Sequence, residues 1–359
     1  MSNRGNFEQV GVEAVVKGFD AYVKQMKELV GQTQKAGQQI GAASGDADKL
    51  GKSLDISAGS ILKFGAAIAG AQLGVAAIRG AFSNTIGAAI DFESSFAGVR
   101  KTVDATEEEF AQLAQGFRDL AKTIPVNVNE LNAIGEAAGQ LGIRKEDILA
   151  FTETVAKLSA TTSLTSDQAA TDLARLANVV GFTADEFDNV ASVIVALGNA
   201  GASTEPEILA FAERIAGAGK IAGLTIDQIL GIGEAMSSVG IEAEAGGTAV
   251  QKVLLDITQQ VETGGDKLAL FASVAGMSAE QFAAAWRQDA GQAFTAFVEG
   301  LGKSGTQAFE ILDELDLKDQ RLIRSFLSLS GAGDLLRKSL DNASNAMKDT
   351  SAIDEEFAK

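Results

Sequence analysis

The chain has 359 residues, 46% of them hydrophobic and 22% charged, with a formal net charge of −18. It contains no His and no Cys, which excludes disulfides, thiolate nucleophiles, imidazole bases and Cys/His zinc sites together. With 2 Pro, 6% aromatic residues and few β-branched runs, the composition predicts an all-α protein and offers little material for strands.

The opening MSNRGNFEQ lacks the apolar core of a secretory signal, so cytoplasmic synthesis is expected. Val10, Val12, Ala14 and Val16 alternate with other residues and suggest a brief strand or arm. Phe19, Met26, Thr33 and Ile40, with Tyr22, Leu29 and Ala36 three places after the first three, form a short a/d seam. That seam serves equally as a coiled coil or as one amphipathic helix packed on its own chain. Glycines then loosen the pattern, so 1–56 reads as an N-terminal arm, an amphipathic helix and a Gly-rich linker. Residues 57–103 read as a long apolar helix. Within it, 61–90 is apolar or small on every face, interrupted by Lys63, Gln72 and Arg79. Gly70 and Gly74 make a small-xxx-small pair that lets helices approach closely. Phe64, Gly70, Gly74 and Ile78 are therefore candidates for self-association or membrane contact, and a homo-oligomer is expected. The uninterrupted apolar run is shorter than a spanning helix requires, which favours burial inside an assembly over insertion.

From 104 onward the chain reads as an array of short helices. A Ser or Thr followed three places later by Glu or Gln is a helix-start signal, because each side chain satisfies the other's free backbone N–H. It occurs at Thr106, Thr165, Thr183, Thr204, Thr225, Thr248 and Ser278. The five caps from Thr165 to Thr248 are spaced by 18, 21, 21 and 23 residues. Gly181, Gly223 and Gly276 stand where a left-handed residue ends the preceding helix. Pro125 should stop the helix begun at Thr106. Asn129 should cap a helix to Leu141, and a further one should cover about 145–161. The array itself is predicted at 166–180, 184–199, 205–219, 226–239 and 249–262. Shorter helices follow near 266–274, 279–288, 290–302, 305–312, 318–330 and 333–347. Residues 104–345 thus form one helical domain, and 346–359 begin a further helix or a truncated tail. Helix starts need no function of their own; the regular spacing is the informative part.

Residues 104–359 carry 19 Lys/Arg against 39 Asp/Glu, a net of −20. Sequence-independent nucleic-acid binding depends on cationic contacts, so 104–345 should not bind DNA directly. Arg214–Ile221, RIAGAGKI, lacks the first Gly and the Ser/Thr of a phosphate loop, and no strand precedes it. Asp313, Glu314, Asp316 and Asp319 lack the Gly and closing Glu of a calcium loop. Glu242 and Glu244 have no neighbour that marks them as an acid/base pair. No catalytic residue, cofactor or metal site is expected.

Several segments resemble the N-terminal conserved domain of phage tail tape measure proteins. These are Asp91–Phe96 through Thr106, Leu173–Gly181, Ala200–Thr204, Gly240–Ala249 and Leu315–Arg321, spanning about 80–345. Glu244, Ala245, Gly246, Gly247 and Thr248 are the most specific part. The resemblance implies a non-enzymatic structural protein of a long-tailed phage or prophage, lying in the tail lumen. It would be chaperoned during assembly, contact tail tube and baseplate or tip proteins, help fix tail length and leave the tube at genome delivery. Family members are usually longer, with a helical ruler and a C-terminal tip region, so these residues represent a fragment or a short member. A membrane-active delivery element and a general α-helical adaptor are the alternative readings.

Overall fold

The computed structural model describes residues 91–317 and 320–359, and all described secondary structure is helical. The expected arm, coiled-coil-like helix and linker of 1–56, and the apolar stretch of 57–90 with Phe64, Gly70, Gly74 and Ile78, lie outside the described residues. Residues 91–102 are helical and bury Phe92, Phe96 and Val99. Fifteen α-helices follow. They are α1 (Glu107–Thr123), α2 (Val128–Gln140), α3 (Ile148–Thr161), α4 (Ser166–Val180) and α5 (Phe187–Ala200). Next come α6 (Glu205–Ala222), α7 (Ile226–Ser238), α8 (Ala243–Thr263), α9 (Leu268–Val274) and α10 (Ala279–Gln288). The series ends with α11 (Ala290–Lys303), α12 (Ala308–Glu314), α13 (Gln320–Gly331), α14 (Gly333–Lys348) and α15 (Ser351–Phe357).

Local signals account for most boundaries. α1 stops at Thr123 because Ile124, ahead of Pro125, is extended (φ −109°, ψ 131°). The cap of α2 is Asn127 rather than Asn129: its Oδ1 accepts the Asn129 N–H at 2.9 Å. α4 and α6 end at Gly181 and Gly223, with φ of 92° and 85°, a region closed to most side chains.

Tertiary packing does not follow chain order. α6 is the hub and packs against α4, α5, α7 and α8. α14 returns from the far end of the chain to pack against α5, α7 and α11. α15 then lies on α3 and α5, where Lys157 Nζ reaches Asp354 at 3.0 Å. One continuous apolar core results, running from Phe92 through Phe211 and Phe294 to Ile353.

The expected domain limits of 104 and 345 are too narrow. Phe96 packs edge-on to Phe110 and Phe117 of α1, so 91–103 shares the core of the helices that follow. Ile353, buried at the other end, ties 346–359 to the same core. Among the described residues no single helix is long and apolar enough to cross a membrane. The bent pair α9–α10 has a suitable length and composition, but it buries Phe271, Phe282 and Trp286 in the core.

Candidate functional site

The residues singled out as caps fall into two groups. Thr106, Thr165 and Ser278 accept the N–H of Glu109, Gln168 and Gln281 at 3.2–3.3 Å, and each of those side chains returns to the cap residue's N–H. At Thr183, Thr204 and Thr225 the return bond is clear, with the cap N–H donating to Glu186, Glu207 and Gln228 at 2.8, 2.9 and 3.2 Å. The Thr204 N–H and hydroxyl hold the Glu207 carboxyl below its ordinary range. Thr183 opens a 3-10 turn, Ala184–Glu186, before α5 begins at Phe187.

Thr248 is the exception. It stands inside α8, which already starts at Ala243, and its hydroxyl donates back to the Glu244 carbonyl at 2.7 Å. The sequence reading placed the helix start too late because Gly246 and Gly247 resemble a turn. Both glycines are helical and serve close approach instead. A methyl at 246 would lie 2.5 Å from Ile241 Cγ2, 2.8 Å from Met236 Cε and 2.9 Å from Phe211 Cε1. A methyl at 247 would lie 2.9 Å from Arg214 Cβ. The paired glycines therefore seat α8 on α6. Glu244 is exposed and approaches Arg214 at 4.0 Å, Ala245 is half-buried, and Gln251 donates to the Arg214 carbonyl.

The segments that carry the resemblance are joined through this region. Lys252 Nζ, one turn beyond Thr248, donates to the Asp316 carbonyl at 2.6 Å, linking α8 to the 315–317 turn. On the other side of the hub, the Ala202 N–H donates to Ser238 Oγ at 3.1 Å and Ser203 Oγ to the Glu234 carbonyl at 3.1 Å. The Glu234 side chain is 2% exposed. It accepts Ser238 Oγ at 2.5 Å and the hydroxyl of Ser339 in α14. Sequence reasoning missed Glu234. Its signal was one carboxylate within an otherwise apolar helix, ILGIGEAM, whose period buries every neighbour.

Residues 114–307, more than half of the chain, match the family described as phage-related minor tail protein. The chain belongs to this family. No curated protein and no solved structure matches it. The minor tail match starts within α1, ends at the turn before α12, and contains the capped array and the α6–α8 crossing. Membership makes this a phage tail protein and points to a structural rather than an enzymatic role.

The arrangement within this tail protein agrees with that role. RIAGAGKI forms the second half of α6, with Ile215, Ala216, Ala218 and Gly219 buried, so it is helix and not a phosphate loop. Glu242 and Glu244 are exposed and flank the start of α8. Among the described residues no group of three or more acidic side chains is placed to hold a metal ion. The polar groups that the fold buries, Glu234 with its serines and Asn132 with Ser95, bind helix to helix.

Proposed function

We propose that residues 91–359 form the folded, non-ruler part of a tape-measure-type tail assembly protein. In this reading the helical unit organises the end of an assembling tail, while tube length is set elsewhere. Its partners would be tail tube and baseplate or tip proteins and the tail assembly chaperones, with self-association through Phe64, Gly70, Gly74 and Ile78. Release at genome delivery would follow from its place in the tail lumen.

The observation that supports this reading is the tie between α7 and α14. Ser339 bonds Glu234 across 105 residues of chain, so the segment between them doubles back on itself. An extended helix rises about 1.5 Å per residue. A chain folded in this way does not convert residue number into length. The test is electron microscopy of tails from a phage whose copy lacks residues 183–203. Assembly should be lost or reduced, without a uniform shortening, because removing one unit exposes the apolar faces of its neighbours. A homogeneous population of tails shorter by about 30 Å would instead show that this segment is extended in the tube.

A further inference from the structure

Asp172 of α4 and Glu213 of α6 face one another across the contact between these helices, within reach of a shared hydrogen bond. Both are acids, and both are partly buried. Glu213 Oε1 is buried without a hydrogen-bond partner. The Arg175 guanidinium that approaches it stops at 3.8 Å, beyond hydrogen-bonding range. Burial, then the charge of Glu213 and the hydrogen bond to it, push the Asp172 carboxyl up to about 6; Arg175 opposes this and Asp167 adds to it.

The other charged side chains on the packed helices are engaged elsewhere. On α6, Arg214 approaches Glu244, and Lys220 lies beside Gly181. On α2, Glu130 accepts the Ser166 hydroxyl and Glu136 accepts the Gln140 amide. On α3, Lys157 bridges Glu153 and Asp354.

We propose that Asp172 and Glu213 form a proton-linked clasp between α4 and α6, closed by one shared proton and loosened when both carboxylates ionise. In the closed form a carboxyl O–H of the pair donates to the partner's carboxylate oxygen. Loss of that proton to water leaves two like charges facing each other, with Arg175 as a distant counter-ion. Two such carboxylates disfavour double ionisation. The sign follows from linkage: a carboxyl raised above its unfolded value binds more protons in the folded state. Its contribution is therefore fully present below the ordinary carboxylate range and is lost as pH rises through about 6. The clasp holds α4 to the same helix on which α8 is seated, so acidification tightens the hub of the fold.

The test is urea unfolding of the full chain, followed by Trp286 fluorescence at about pH 5 and about pH 8. The wild-type midpoint should fall between the two. Asp172→Asn should raise the midpoint at the higher pH and reduce the difference between them, because an amide donates to Glu213 without a proton to lose. Glu213→Gln should do the same from the other side, which keeps the test decisive if one variant fails to fold. Both variants retaining the wild-type pH difference, or both lowering the midpoint at the higher pH, would overturn the clasp.

Discussion

Ser339 in α14 donates its hydroxyl to Glu234 in α7, and this contact fixes the C-terminal helices onto the hub. A buried carboxylate is costly unless it is hydrogen-bonded. Here hydroxyls from two helices supply the donors, Ser238 from the next turn of α7 and Ser339 from α14. Gly201 contributes by its lack of a side chain, since a methyl there would overlap the Glu234 carboxylate.

Ser339→Ala should therefore destabilise the fold by about 1–3 kcal/mol, the usual cost of leaving a buried polar group short of a partner. Urea unfolding monitored through Trp286, the single Trp of the chain and 3% exposed, measures it directly. An unchanged midpoint would mean that Ser238 alone satisfies the carboxylate.

Two helical glycines should respond in opposite directions to Ala. Gly300 of α11 abuts the chain at the end of α9: a methyl there would overlap the Val274 carbonyl oxygen and sit 2.7 Å from its carbon. The backbone must shift, so Gly300→Ala should cost about 1–3 kcal/mol, as overpacking does. Gly217 of α6 has open space where its Cβ would stand. Gly217→Ala should stabilise by about 0.5–1 kcal/mol, because Ala restricts the unfolded chain more than Gly. Thermal melts of the two variants compared with wild type decide the matter, and equal effects would show that the α9–α11 approach is misjudged.

The two Thr positions that looked alike in sequence should also separate. Thr225→Ala should cost about 0.5–2 kcal/mol as an N-cap loss. Thr248→Ala should stay within about 0.5 kcal/mol of wild type, because it removes only a bond back to the Glu244 carbonyl inside α8 and Ala is a better helix former. Differential scanning calorimetry of both variants gives the comparison. A large loss at Thr248 would restore it as a helix start.

The charge of residues 104–359, net −20, leads to the last expectation. The full chain should give no gel shift with duplex DNA at low salt, where electrostatic binding is strongest. A clear shift under those conditions would locate a cationic surface that the net charge conceals.

What the sequence determined by itself is local. Thr106, Thr165, Thr204, Thr225 and Ser278 lie at helix starts because a capping box closes within four residues, whatever surrounds it. Gly181 and Gly223 end helices because the left-handed backbone suits Gly at any solvent exposure. The lack of strand-forming runs gives the all-α class by the same short-range logic. The tertiary structure alone decided what Gly246 and Gly247 are for. A glycine that frees a turn and one that admits a neighbouring helix are the same letter, and only the proximity of Arg214 and Phe211 tells them apart. Only the return of α14, more than a hundred residues later, gave Glu234 its donor. Only the pairing of α4 with α6 brought Asp172 against Glu213. These depend on contacts between helices distant in the chain, which a pattern of period 3.6 marks as buried without naming the partner.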